Sequence, residues 1–259
     1  MVSIYQHFRE EEHSFIDQVL TWKEAVERSY ITKQSDFLDP REQHIAQSIL
    51  GKNNEVIHWG MDGGVENAER KRLMIRPFYE SLDRDVYSCE LLQATYNEKF
   101  MSLSHRDVLG AFLSLGLDRS KLGDVHVADG KIQMIIAAEI SPYILANFTS
   151  VRKANVTFET KDLSSWSGQQ EEWMYADKVI SSKRLDVVVK EMYHIPRKEA
   201  VQYIQRKLVR VNFKVVEDPA FEVEEGDLFS VRGKGRGFLQ RIHGKTRKDR
   251  LRITVGLLK

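Results

Sequence analysis

The sequence predicts an α+β chain built from units of different character. Three observations point there. Apolar residues recur at helical spacing near the N-terminus. Strand-like and helix-like segments alternate through the middle. The C-terminal third combines two amphipathic helices with several short alternating strands. With 259 residues, the chain is long enough for two or three small domains. A hydrophobic share of 42% supplies real cores.

Residues 1–75 read as mainly helical. Phe15, Ile16, Val19, Leu20, Trp22 and Val26 follow one helical face. Asp39-Pro40-Arg41-Glu42 is a helix start: Asp39 caps, Pro40 suits the first helical position, and Glu42 reaches back to the cap amide. Ile45, Ile49 and Leu50 then face inward, and Gly51 stops the helix. A strand at Val56–Trp59, a turn at Asp62-Gly63-Gly64, a short helix over Ala68–Arg72 and a strand from Leu73 to Phe78 complete a helical or mixed N-terminal domain, residues 1–78. Glu10, Glu11 and Glu12 read as a solvated charge run.

Residues 79–165 give the clearest order. Val86–Tyr96 reads as a strand, Ser104–Leu115 as a helix ended by Gly116, and Asp124–Val127 as a strand. Asp129-Gly130 is a hairpin turn and Lys131–Ala137 the return strand. Ser141-Pro142 opens a second helix, and Asn155–Glu159 is a last strand. The sum is β-α-β-β-α-β, the ferredoxin-like plan shared by RNA-recognition modules and many unrelated proteins. Those modules stack bases on sheet aromatics within a Lys/Arg-Gly-Phe-rich motif. That motif is not found, so Phe158 and Tyr87 read as ordinary strand residues, and RNA contact by this domain is left open. Asp162–Gln170 reads as a connector, and Trp173-Met-Tyr leads toward the last domain.

The net charge of +1 hides a split. Residues 181–259 hold 19 Lys plus Arg against 10 Asp plus Glu, or +9, which leaves 20 against 28, or −8, for residues 1–180. A basic segment attracts polyanions. In it, Ser182 reads as a helix cap, with Leu185, Val188, Val189 and Met192 on one stripe. Pro196 opens a second helix with Ala200, Val201, Ile204 and Leu208 inward. Strands follow at Val209–Asn212, Val215-Val216 and Leu228–Val231, with turns at Pro219 and Glu225-Gly226-Asp227. Gly233-Lys234-Gly235-Arg236-Gly237 reads as a basic flexible loop. A final hairpin pairs residues near Phe238–His243 with Leu251–Leu257. The cations expected to meet phosphate are Lys183, Arg184, Arg197, Lys198, Arg206, Lys207, Arg210, Arg232, Lys234, Arg236, Arg241, Lys245 and Arg247. Arg offers a planar fork of donors and Lys a point charge. Asp186 reads as a buttress for an Arg or a local cap.

Other chemistries find little support. The single cysteine, Cys89, permits no disulfide within the chain and reads as a small packed hydrophobe. No Cys/His cluster has zinc spacing, and the eight histidines are scattered. Asp62 beside Gly63-Gly64 is explained by a turn. No apolar run is long enough for a membrane span and no leader pattern is visible, so the expected place is the cytoplasm. No metal or cofactor is expected.

Ser182-Lys-Arg184-Leu185-Asp186, Arg197-Lys-Glu-Ala200, Ile204, Val209-Arg-Val211-Asn212 and Gly226-Asp227 resemble the alpha-L RNA-binding motif, the S-four-type domain of a small-subunit ribosomal protein. Two positions depart from it: Pro196 stands where a Ser often precedes the second helix, and Lys207 where a Gly usually ends it. The resemblance implies that Arg184 and Arg197 meet RNA backbone. Along the whole chain, Ile4-Tyr-Gln-His-Phe-Arg, Asp36-Phe-Leu-Asp-Pro-Arg-Glu and Gly63-Gly-Val-Glu-Asn-Ala-Glu-Arg resemble the YlmH family, related to the shorter RqcP proteins. This implies a factor of ribosome-associated quality control. Such a factor binds rRNA and tRNA on large subunits obstructed by peptidyl-tRNA, beside a tailing factor, and supports C-terminal tailing. It also implies a protein that is not an enzyme. Two other classes stay open: an RNA-modifying enzyme with an unrecognised site, and a protein-interaction adaptor.

Overall fold

The computed structural model describes residues 5, 8–80, 87–98, 101–168, 173–246 and 248–258. The chain forms two compact units, residues 1–170 and 171–259.

The first unit opens with α1 (His13–Ser29), β1 (Lys33–Leu38), α2 (Pro40–Leu50), β2 (Ile57–Asp62) and β3 (Lys71–Pro77). Ile16, Val19 and Val26 of α1 pack on Ile45, Ile49 and Leu50 of α2 and on Leu73 and Ile75 of β3. The start of α2 is the expected capping box. Glu42 N donates to Asp39 Oδ1 at 2.9 Å, and Asp39 N donates to Glu42 Oε2 at 2.8 Å. The three strands form an antiparallel sheet in the order β1-β3-β2.

Three expectations are corrected here. β1 was not anticipated, because Lys33-Gln34-Ser35-Asp36 is polar; Ser35 is nonetheless buried, and its Oγ accepts from Leu73 N at 2.8 Å. Residues 68–72 form no helix: the amides of Glu69 and Arg70 donate to the Asp124 carboxylate at 2.8 and 3.0 Å, and β3 starts at Lys71. Glu12 is not a solvated charge, since its carboxylate takes two hydrogen bonds, at 2.8 and 2.9 Å, from the buried Arg41. Those bonds, together with that of Arg9 N, outweigh the burial that would raise its pKa, and hold it below the usual range.

Next come β4 (Cys89–Thr95), α3 (His105–Ser114), β5 (Leu122–Ala128), β6 (Lys131–Ala137), α4 (Ser141–Asn147), β7 (Ser150–Val151), β8 (Ala154–Asn155) and β9 (Glu159–Lys161). The sheet order is β5-β6-β4-β9, every neighbour antiparallel, which is the split βαβ plan. Val86, expected to begin the first strand, lies outside the described residues. The last strand is β9 and not Asn155–Glu159, because Ala154 and Asn155 turn back onto Val151 and Ser150.

One face of this sheet packs Leu92, Ile132, Met134 and Ile136 against Val108 and Phe112 of α3 and Ile144 of α4. The other face is also closed. Leu91 and Ile135 are covered by Phe37 of β1, Val65, Leu163 and Trp166. Gln133, buried on that face, donates from Nε2 to Gln93 Oε1 and Ser165 O and accepts from Ser167 N.

The second unit comprises β10 (Trp173–Ile180), α5 (Leu185–Tyr193), α6 (Arg197–Gln205), β11 (Val209–Val211), β12 (Lys214–Val215), β13 (Leu228–Val231), β14 (Gly235–Lys245) and β15 (Leu251–Leu258). Its sheet runs β10-β15-β14-β13-β11-β12. The sheet thus begins at Trp173, ahead of residue 181. Leu185, Val188, Val189 and Met192 of α5 and Ala200 and Ile204 of α6 pack on Val209, Val211, Phe229, Val231, Leu239, Ile253 and Val255. The final hairpin has Phe238 opposite Gly256 and Leu239 opposite Val255.

Two details differ from expectation. Ser182 does not cap α5. Arg184 holds the cap position, and the free amides of Leu185 and Asp186 donate to Phe221 O and Pro219 O. Residues 233–237 are not a flexible loop. Val231 pairs with Gly235, Ser230 with Arg236 and Phe229 with Gly237 in a tight β13–β14 hairpin. A Cβ on Gly237 would lie 2.1 Å from Met192 Sδ, so any other residue there would displace the Met192 side chain. Among the described residues, no helix is long and apolar enough to cross a membrane.

Candidate nucleic-acid interface

The centre of the candidate site is a buried carboxylate. Asp186, in the first turn of α5, is 1% exposed. Arg184 donates to it from Nε at 3.0 Å and Nη2 at 3.3 Å. Arg197, at the start of α6, donates from Nε at 2.9 Å to Oδ2, and its Nη2 lies 2.8 Å from the same oxygen. The two arginine side chains are 40% and 56% exposed. One buried acid therefore holds two exposed guanidinium groups from successive helices. Burial would raise the Asp186 pKa, but the hydrogen bonds from Arg184 and Arg197 outweigh it and hold the carboxyl below its ordinary 3.8. The same bond to Asp186 raises the Arg184 pKa.

Held this way, each guanidinium keeps donors pointing to solvent and loses little freedom on meeting a second anion. That is the arrangement suited to phosphate oxygens. Such contacts set position and salt dependence rather than base sequence.

A second buried carboxylate fixes the turn beside α5. Asp227 accepts from Asn212 Nδ2 and Glu224 N, both at 2.8 Å, while Asn212 Oδ1 accepts from Leu228 N at 2.9 Å. Asn212 and Asp227 are thus structural members of the motif.

The remaining candidate cations are dispersed. Lys183 pairs with Glu224 at 2.8 Å, Lys207 with Glu217 at 2.9 Å, and Lys245 with Asp249 at 2.7 Å. Lys198 and Arg206 are exposed on α6 and just after it. Lys207 has φ +60, so a lysine holds the left-handed position that closes α6, and Leu208 N donates to Tyr203 O. Arg232 and Lys234 form the β13–β14 turn, where Lys234 Nζ lies 3.6 Å from Glu199 and 5.9 Å from the Tyr203 ring centre.

Arg210, Arg236 and Arg241 lie elsewhere. Arg210 alternates with the buried Val209 and Val211 and pairs with Ser230, which pairs with Arg236. They occupy the sheet face opposite the helices, and Arg241, opposite Thr254, joins them. Arg247 lies outside the described residues. Burial pushes the Cys89 thiol up to about 12, which fits a packed thiol.

Comparison with known proteins agrees with this architecture. Three family models match in order: "YlmH, N-terminal" over residues 11–79, "Putative RNA-binding domain in YlmH" over residues 83–165, and "S4 domain" over residues 183–229. The chain is 40% identical over 254 residues to "Ribosome-associated protein quality control protein P2" of Bacillus subtilis (strain 168), covering 98% of each chain.

The chain belongs to the YlmH family.

A solved structure titled "Cell division protein ylmH from Streptococcus pneumoniae" matches with a TM-score of 0.52 at 23% identity, over 62% of this chain and 98% of that one, a likeness of fold. The S4 match of this YlmH-family chain contains Arg184, Asp186 and Arg197. It ends before β14 and β15 and begins after β10. The closed face of the β4–β6 sheet also bears on the family's middle domain. Base stacking on that sheet, as RNA-recognition modules practise it, is blocked by Phe37, Val65, Leu163 and Trp166.

Proposed function

We propose that this protein is an RNA-binding factor that docks on large ribosomal subunits obstructed by peptidyl-tRNA. There it touches rRNA and tRNA, and supports C-terminal tailing of the stalled peptide in company with a tailing factor. The observation that carries this reading is the Arg184–Asp186–Arg197 clamp within residues 181–259, a segment of net charge +9. The printed name of the Bacillus subtilis relative supplies the setting. In this reading the protein works in the cytoplasm, makes and breaks no bonds, and needs no cofactor. The clamp, with Lys198 and Lys183 beside it in sequence, grips the RNA backbone, and the acidic first unit limits unspecific adhesion.

The test is cosedimentation of the full chain with purified large subunits, with and without bound peptidyl-tRNA. Stronger binding with peptidyl-tRNA supports the reading. Absence of binding to either form overturns it. Turnover of modified nucleosides in ribosomal RNA would redirect it to an enzyme, and a complex that survives ribonuclease to a protein adaptor.

A further inference from the structure

In the second unit, α5 and α6 pack on one face of the sheet. The opposite face carries a distinct set of side chains, placed by strand register. Tyr175 of β10 stands opposite Gly256, which stands opposite Phe238. Trp173, two residues before Tyr175, shares that face, and its ring lies 6.0 Å from that of Phe238. A Cβ on Gly256 would lie 3.0 Å from Tyr175 Cε1 and 3.2 Å from Trp173 Cε3. Glycine there lets both rings lie low across the sheet. Tyr175 remains 52% exposed.

Cations frame these rings. The Arg236 guanidinium lies 6.0 Å from the Trp173 ring centre. Arg210 lies two strands from Arg236 in the same cross-strand row. Arg241 stands opposite Thr254, and Arg252 opposite His243. Asp177, on the same face, accepts from Thr254 Oγ1 at 2.7 Å.

We propose that this face is a second RNA-binding surface. It takes a single-stranded segment, with a nucleobase stacked on Tyr175 and Trp173 and the flanking phosphates on Arg236 and Arg210. An exposed Tyr175 beside the half-buried Trp173 and Phe238, interleaved with arginines on one sheet face, matches the stacking platform and cationic track of sequence-tolerant single-strand binding. An acidic peptide would satisfy the arginines but leave the flat aromatic surface without a matching partner. Apart from Arg210, the surface lies outside the segment matched as an S4 domain, and it is on the other side of the sheet from the Arg184–Arg197 clamp. The inference rests on the RNA-binding reading and extends it to a strand next to a structured site.

The full chain is titrated with a 12-nucleotide oligouridylate carrying a terminal fluorophore. Anisotropy and tryptophan emission are followed, and an oligoglutamate peptide serves as competitor. The expected result is saturable binding with quenched tryptophan emission. Tyr175→Ala then weakens binding about 10-fold while Tyr175→Phe does not. Circular dichroism confirms that each variant is folded. Unchanged affinity of Tyr175→Ala overturns the inference, as does equal competition by oligoglutamate, which would assign the face to an acidic peptide. Binding to large subunits without binding to oligouridylate removes this surface and spares the proposed function; the converse spares this surface and removes the ribosomal reading.

Discussion

Arg197 reaches across from the start of α6 to place Nε 2.9 Å from Asp186 Oδ2 inside the first turn of α5. Arg184 meets the same carboxylate from its other side. The two helices are therefore tied at their N-terminal ends by the residues that also offer donors to solvent. In the proposed reading, stability and RNA binding are coupled through Asp186.

Asp186→Ala should lower stability by about 1–2 kcal/mol, a value discounted because both arginines are partly exposed. Subunit affinity should fall further than that of an Arg184→Ala variant, since both guanidinium groups lose their anchor. Urea unfolding and cosedimentation on the same preparations separate the two effects.

The pH dependence has a definite sign. The native Asp186 carboxyl is held below its ordinary 3.8, so the unfolded chain binds this proton more readily. Its contribution is complete above about pH 5 and disappears as pH falls through the depressed native value. Thermal unfolding of wild type and Asp186→Asn from pH 7 to pH 2 should converge at the acid end. A constant difference between the two across the range would contradict this.

Asp227→Ala removes the acceptor of Asn212 Nδ2 and Glu224 N in a fully buried position. A loss of about 2–3 kcal/mol is expected, read as a lower urea midpoint at unchanged slope.

Lys207→Gly relieves a left-handed backbone at a residue with φ +60 and gives up the exposed pair with Glu217. Because exposed pairs contribute little, the variant should gain about 0.5–1 kcal/mol. A drop in melting temperature would show that the pair outweighs the strain.

Much of this architecture could be read from residue order. The Asp39–Glu42 cap, the Asp129-Gly130 turn and the α5 stripe are local signals, and each formed where expected. What escaped depends on distant partners. β1 is polar over its first four residues, Lys33–Asp36, and is held by pairing with β3 and by Ser35. The apparent helix at residues 68–72 yields to Asp124, far along the chain. The clamp arginines were visible through their motif spacing, but the division of the basic residues between two faces was not. That division follows from strand register, including the irregularity between Leu239 and Arg241. Trp173 and Tyr175 carry no local strand signal, because Trp173-Met-Tyr-Ala-Asp-Lys-Val-Ile shows no apolar–polar alternation and the strand is set by its pairing with β15.

The most direct test of the clamp is the salt dependence of binding to large subunits carrying peptidyl-tRNA. Wild type is compared with folded Arg184→Ala/Arg197→Ala. If each arginine engages one phosphate, the double variant loses affinity and its slope of log K against log salt is shallower by about 2. Equal slopes and equal affinities for the two proteins would contradict the assignment of Arg184 and Arg197 to the RNA backbone.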